Sequence, residues 1–316
     1  MRLLRTGLAL LVLSGVPLPA GAIPAPGTSC DLFPRDNVWH SEIRKLPKHR
    51  RGDQWIQAMG GRGNLLHPDF GPSGDPAEPY GIPFNVEDAG QPKVAVDFLY
   101  AGESDPGPYP VDDMSWVENG SDRHVLVVQR DECRLYELYD FDWNGGAPQA
   151  GSGAIWDLRS NALRPATWTS ADAAGLPILA GLIRRDEVEA GVIDHAIRVT
   201  AEQTDERFIW PARHQAGARR DRSLPPMGAR FRLKKGFRIS GFHAETRVIL
   251  KAMKRYGLIV ADNGSNWFFG GAANEGNEWP NQVLDELKSI PAGAFAAVQT
   301  RRLLMDPSSG KAKQNR

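Results

Sequence analysis

The chain has little of several things, and each shortage removes a class of explanation. Two cysteines in 316 residues are too few for a clustered thiolate metal site. There is no net charge, 38 basic side chains standing against 38 acidic ones. The composition as a whole therefore offers no general attraction for nucleic acid or an anionic membrane. No apolar run approaches the roughly 20 residues that span a bilayer. G-x-S-x-G, P-loop, H-E-x-x-H and dinucleotide-binding glycine motifs are all missing, so no cofactor is named by the sequence. Only seven histidines occur, and no pair of them has metal-ligand spacing.

What is present begins with the N-terminus. Arg2 and Arg5 precede a short apolar core, Leu8 to Val16, and Ala20-Gly21-Ala22 ends it. Residues 1–22 thus read as a secretory signal, and the protein as secreted, extracellular or periplasmic. An even cysteine count in an exported chain predicts a disulfide between Cys30 and Cys133. Closing a loop of about 100 residues stabilises by up to roughly 4.7 kcal/mol on the chain-entropy argument.

Residues 23–92 are rich in proline and glycine and show little periodicity. They predict a wrapping segment with one short helix in GDQWIQAMGG. From there KVAVDFLY, RHVLVVQ, RLYELYDFDW, DHAIRVTAEQ, RFIWPAR, ARFRLKKGFRI, LIVADNG and NWFFGG read as strands. ETRVILKAMKRYG carries one apolar stripe and a capping glycine, the pattern of a helix. A shorter helix is expected around NQVLDELKSI. Many short strands with few helices predict a mainly β, α+β single domain over 23–305, of β-sandwich or jelly-roll type with helical additions. Residues 306–316 read as a disordered tail.

Candidate chemistry sits on the strands. A two-residue turn in HVLVVQRDECRLYELYD pairs His124 with Tyr139 and puts both on one face with Glu137. Glu137 is the leading carboxylate, because burial on an apolar face would raise its pKa. Asp122, Asp157, Asp172 and Asp262 are further carboxylates, Asp172 reading more simply as a helix cap and Asp262 as a turn residue. His195 points inward with Ile197 and Val199, and His214 closes the group Trp210-Pro211-Ala212-Arg213-His214. The expected catalytic set is Glu137, His124, His195, His214 and Asp157, with His195 and His214 as two walls of one pocket and His124 as a third. The plain alternative for each histidine is a core ring bonded to a backbone carbonyl.

Nine tryptophans suggest stacking platforms for sugar rings, namely Trp156, Trp168, Trp210 and Trp267. Tyr139 and Arg164 join them in the expected binding set. Arg123, Arg198 and Arg213 are expected to hold an acidic sugar or an oxyanion. The loops LHPDFG, ESDPGPYP and SNALRPATWTSADAAGLPILAG read as groove rims.

The blocks ESDPGPYP, DRHVLVV, LYELYD, SGAIWDL, WTSADAAGLPIL, HAIRVT, IWPARH and ADNGSNWF resemble a group of exported, largely uncharacterised bacterial and fungal proteins. The likeness covers residues 30–298 and implies export, one integrated domain and an association with polysaccharide degradation. It implies no catalytic residues. Together these readings predict a secreted carbohydrate-active enzyme, a glycoside hydrolase or a polysaccharide lyase, acting on a poly- or oligosaccharide. The competing classes are a non-catalytic carbohydrate-binding protein and a cell-envelope interaction protein.

Overall fold

In β4 (Val125–Gln129), all five residues of VLVVQ are buried, and its apolar run Val125 to Val128 places the strand between two cores. Leu126 and Val128 face the larger core; Val125 and Val127 face a smaller one with Tyr109, Tyr136 and Phe141. A strand covered on both sides needs no polar alternation. β5 (Arg134–Tyr139) pairs with it antiparallel, Leu126 opposite Glu137. That register puts His124 beside Tyr139, with ring centroids 5.8 Å apart, as a two-residue turn requires. β2 (Phe84–Glu87) and β7 (Ser152–Asp157) complete a four-stranded sheet in the order β2-β4-β5-β7.

The computed structural model describes residues 23–73, 75, 79–274 and 279–314. The expected signal segment, residues 1–22, lies outside the described residues. A second, six-stranded sheet runs β1-β11-β8-β10-β9-β12. Its members are β1 (His67–Asp69), β8 (Ile197–Ala201), β9 (Arg230–Leu233), β10 (Leu258–Asn263), β11 (Phe268–Gly270) and β12 (Phe295–Ala297). β3 (Asp97–Phe98) and β6 (Gln149–Ala150) form a small pair. The four described α-helices are α1 (Gly52–Ala58), α2 (Arg185–Glu189), α3 (Ala244–Arg255) and α4 (Asn281–Lys288).

The fold is therefore mixed α/β with sheet predominating. Four strand pairings are parallel: β1 with β11, β8 with β10, β2 with β4 and β3 with β6. A jelly roll is built from antiparallel strands, so that part of the expectation is not supported. RFIWPAR forms only an isolated bridge at Phe208 rather than a strand. The two large sheets share one apolar core, to which Leu126 and Leu135 contribute from one sheet and Ile197, Val199 and Leu258 from the other.

α3 follows its sequence pattern closely. Val248, Ile249, Ala252 and Met253 are buried, and Lys254 and Arg255 fill the last turn, where cations complement the helix dipole. Gly257 ends it at φ +77°, and a Cβ there would lie 2.2 Å from the Phe231 carbonyl oxygen. Only glycine fits that approach.

Cys30 and Cys133 form the expected disulfide, 103 residues apart in sequence. It ties the N-terminal segment to the β4–β5 turn. The expectation of a disordered tail is corrected for residues 306–314. Gly310 donates to Asn161 O and accepts from Val38 N, while Ala312 N bonds Asp36 O and Lys313 N bonds Leu303 O. These backbone partners hold the segment against the N-terminal strap. Residues 315–316 lie outside the described residues. No helix among the described residues is long and apolar enough to cross a membrane.

Candidate functional site

β5 ends at Tyr139, directly opposite Ser152 at the start of β7. β10 ends at Asp262 and Asn263, beside Thr200 and Ala201 of β8. These strand ends open into a cleft of about 410 Å³. Its other walls are Tyr100 and Glu103 after β3, Asp122 before β4, Thr169, Ser170, Ala171 and Ala173, and His214. The Thr169–Ala173 wall is pinned to β10 by Ala174 N, which donates to Ala261 O. Gly175 turns that loop at φ +66°, where a Cβ would meet Trp168 O at 2.4 Å.

Beneath the cleft lies a buried charge network. Arg198 donates from Nε and Nη2 to the two oxygens of Asp172, at 3.0 and 2.6 Å. The same Nη2 lies 3.5 Å from Asp262 Oδ2. Asp172 has no exposed surface, whereas the Asp262 side chain is 19% exposed and reaches the cleft. His124 lies beside this pair, and its Nδ1 bonds Glu118 while its Nε2 donates to Ala171 O. Both nitrogens thus meet acceptors, which favours the imidazolium. Burial works against that charge, but the Glu118 hydrogen bond and charge outweigh it and raise the pKa.

Two cations, Arg198 and His124, are therefore already matched by Asp172 and Glu118. Asp262 is the surplus carboxyl. Burial, and next the neighbouring Asp172 charge, push its pKa up to about 8 against the pull of Arg198 and His124. A carboxyl group in contact with solvent thus keeps its proton at neutral pH.

His214 and Glu103 line the same cleft. His214 Nδ1 lies 2.9 Å from Ala173 O. A carbonyl only accepts, so Nδ1 carries a proton and Nε2 is the nitrogen turned toward Glu103, 3.6 Å from its Oε2. Glu103 Oε2 also accepts from Thr169 N at 3.1 Å. Tyr100 presents a half-exposed ring beside them. The cleft thus holds a protonated carboxyl, an imidazole nitrogen, two further carboxylates and two phenol rings. Among the described residues, no arginine or lysine lines it.

Of the expected site residues, His214 and Tyr139 line the cleft, and His124 lies behind its Ala171 wall. The others lie elsewhere, and each placement has a local reason. His195 is buried with Nδ1 on Ala196 O and Nε2 on Glu187; it is a satisfied core ring and not a second wall opposite His214. Glu137 does face the large core, as expected, but accepts from Ile178 N, Leu179 N and Trp156 Nε1. Burial raises it to about 7 despite those bonds, yet it has no exposed surface and does not reach the cleft. Asp157 is exposed and accepts from Arg159 N in a turn.

The aromatic platform is corrected in the same way. Trp156 and Trp267 are buried, the latter donating to Met59 O. Trp210 is half-buried, donates to Ser309 O and lines a separate hollow near Thr300. Trp168 packs on Arg164 rather than in the cleft. The arginines are likewise structural. Arg164 is buried on Asp105 and the Thr169 and Glu103 carbonyls. Arg123 donates to Phe141 O, and Arg213 to Arg164 O and Pro307 O. Arg198 lies under the site but is engaged by Asp172 and does not line the cleft.

Sequence reasoning passed over Tyr100 and set Asp262 aside as a turn residue. The register shifts between Val260 and Asp262, so alternation counted from Leu258 no longer says where Asp262 faces. Two expected rims were informative: ESDPGPYP contributes Glu103, and the 160–181 stretch contributes Thr169, Ser170, Ala171 and Ala173. No group of three or more His, Cys, Asp or Glu among the described residues is arranged to hold a metal ion. No protein-family model, curated protein or solved structure matches the chain.

Proposed function

We propose that the protein is an exported glycoside hydrolase acting on an uncharged saccharide in the cleft at the ends of β5 and β10. The observation that carries this reading is Asp262, a carboxyl group with its pKa pushed up to about 8, in a cleft that also holds Glu103 and His214. Cleavage of a glycosidic bond needs one group to give a proton and another to assist water. Asp262 donates its proton to the departing glycosidic oxygen as the bond to the anomeric carbon breaks. Water adds to that carbon and passes its proton to the Glu103–His214 pair. Tyr100 and Tyr139 offer ring faces to the sugar, and Asp122 accepts hydroxyl hydrogen bonds.

The absence of a lysine or arginine among the described residues lining the cleft supports an uncharged ligand over an acidic one. It also favours hydrolysis over the elimination reaction of lyases, whose uronate substrates need their carboxylate neutralised. The disulfide supports an oxidising compartment and therefore export.

The test is incubation of the purified chain with a panel of neutral and acidic polysaccharides, following reducing ends and ultraviolet-absorbing unsaturated products. New reducing ends without unsaturated products on a neutral substrate, lost in Asp262→Asn, support the reading. Full activity in a folded Asp262→Asn variant, or unsaturated products from an acidic polymer, would sink it.

A further inference from the structure

Beside α3 lies a groove of about 640 Å³, seven of whose eight lining residues are lysine or arginine. Arg44 and Lys45 come from the N-terminal strap, and Arg232 and Lys235 from the end of β9 and the turn after it. α3 adds Lys251, Lys254 and Arg255. Lys45 also borders an adjoining hollow of about 360 Å³ with Arg302 and Lys313. In a chain with 38 charges of each sign, this is strong local segregation.

Two of the groove's cations are steadied by backbone carbonyls. Arg232 donates to the carbonyls of Ile43, Arg44 and Leu46. Lys254 donates to Lys235 O and Phe237 O. A carbonyl orients a cation but does not cancel its charge. Glu42 bridges Arg44 and Arg255. Lys235 and Lys251 are exposed.

We infer that this groove is a binding site for a linear acidic polysaccharide, separate from the Asp262 cleft. Three features select that ligand among polyanions. Among the described residues no aromatic side chain lines either hollow, so they offer no platform for stacked bases. The leucines of the lining, Leu233 and Leu46, are buried, which leaves no large apolar side chain to insert into a bilayer. The cations also continue from one hollow into the next, matching carboxylates or sulfates repeated along an unstacked chain. The Asp262 cleft, bordered by Glu103 and Asp122, would repel the same polymer. The groove holds the protein on an acidic matrix, whatever reaction the cleft performs.

The experiment measures binding of the full, disulfide-bonded chain to polygalacturonate and dextran sulfate, with dextran as the uncharged control. Phosphatidylglycerol/phosphatidylcholine vesicles and duplex DNA are the rival ligands. Both acidic polysaccharides should bind at low ionic strength and release as salt rises. Lys235→Glu/Lys251→Glu should weaken binding roughly tenfold or more. Lys235→Gln/Lys251→Gln should weaken it less, and it carries the test if the reversed pair fails to fold. No binding to either polysaccharide, unchanged affinity in a folded variant, or tighter binding to vesicles or DNA would overturn the assignment.

Discussion

The cleft at Asp262 and the groove beside α3 are both open and charged, but their charges are organised in opposite ways. In the cleft, Asp262 rests on a buried lattice of Arg198, Asp172, His124 and Glu118. Burial and a neighbouring like charge displace its pKa, and a displaced pKa makes an acid useful near neutrality. In the groove, cations outnumber their carboxylate partners; Arg232 and Lys254 rest on backbone carbonyls, Arg44 and Arg255 on Glu42, and Lys235 and Lys251 face water. Such charges act at a distance and weaken with salt. Charge backed by buried partners suits chemistry, and charge facing solvent suits attraction.

The comparison can be broken most sharply at Asp262. Asp262→Asn should lower cleft activity about 100- to 10,000-fold, the usual contribution of a general acid, while leaving retention on an acidic polymer unchanged. In the wild type, activity should fall as pH rises through about 8, because the acid form of Asp262 is then lost. A flat rate through that range would remove Asp262 from the reaction.

The next largest effect separates the chemical carboxyl from the structural one. Glu137→Ala leaves the backbone N–H groups of Ile178 and Leu179 and the Trp156 indole without their buried acceptor. It should cost about 1–3 kcal/mol of stability, read from the urea midpoint. Activity per folded molecule should change far less than in Asp262→Asn. The reversed lysine pair in the groove should do the converse of Asp262→Asn: polymer binding drops while the cleft's rate is kept.

The last effect is read from stability rather than rate, and it depends on pH. Native Asp262 keeps its proton to about pH 8, whereas an unfolded aspartate releases it at roughly pH 4. Between those values the native state binds more protons, so this residue's contribution to stability falls as pH rises. Asp262→Asn should therefore be more stable than the wild type at pH 9, by up to about 5 kcal/mol for a shift of that size, and the gap should shrink by pH 4. Equal urea midpoints at pH 9 would show that Asp262 is not held in an unfavourable charged state there.

Much of the local structure was legible in the residues. The β4–β5 register follows from a short turn and an alternating pattern, and His124 pairs with Tyr139 accordingly. The stripe and glycine of α3 are equally direct. The disulfide follows from having two cysteines to pair. The site was less legible. Glu137 was rightly placed on an apolar face, but the face is closed, so its raised pKa goes with an anchoring role. His195 shares a strand-side pattern with His124, yet Glu187 captures it and it does not line the cleft with His214. Asp262 looked like a turn residue because nothing local announces the register shift beside it.

The neutral charge total was the least informative number of all. It excluded a general attraction for polyanions, but summation cannot see that carboxylates gather at one opening and cations at another. By itself the sequence determined the helices' apolar faces, most of the strands and the cysteine pair, because those depend on neighbours a few residues away or on simple count. Only the tertiary structure decided which carboxyl is buried beside a like charge and which histidine nitrogen meets solvent. Those properties arise from groups distant in the chain, and a pKa or a groove belongs to the assembled surroundings rather than to any one residue.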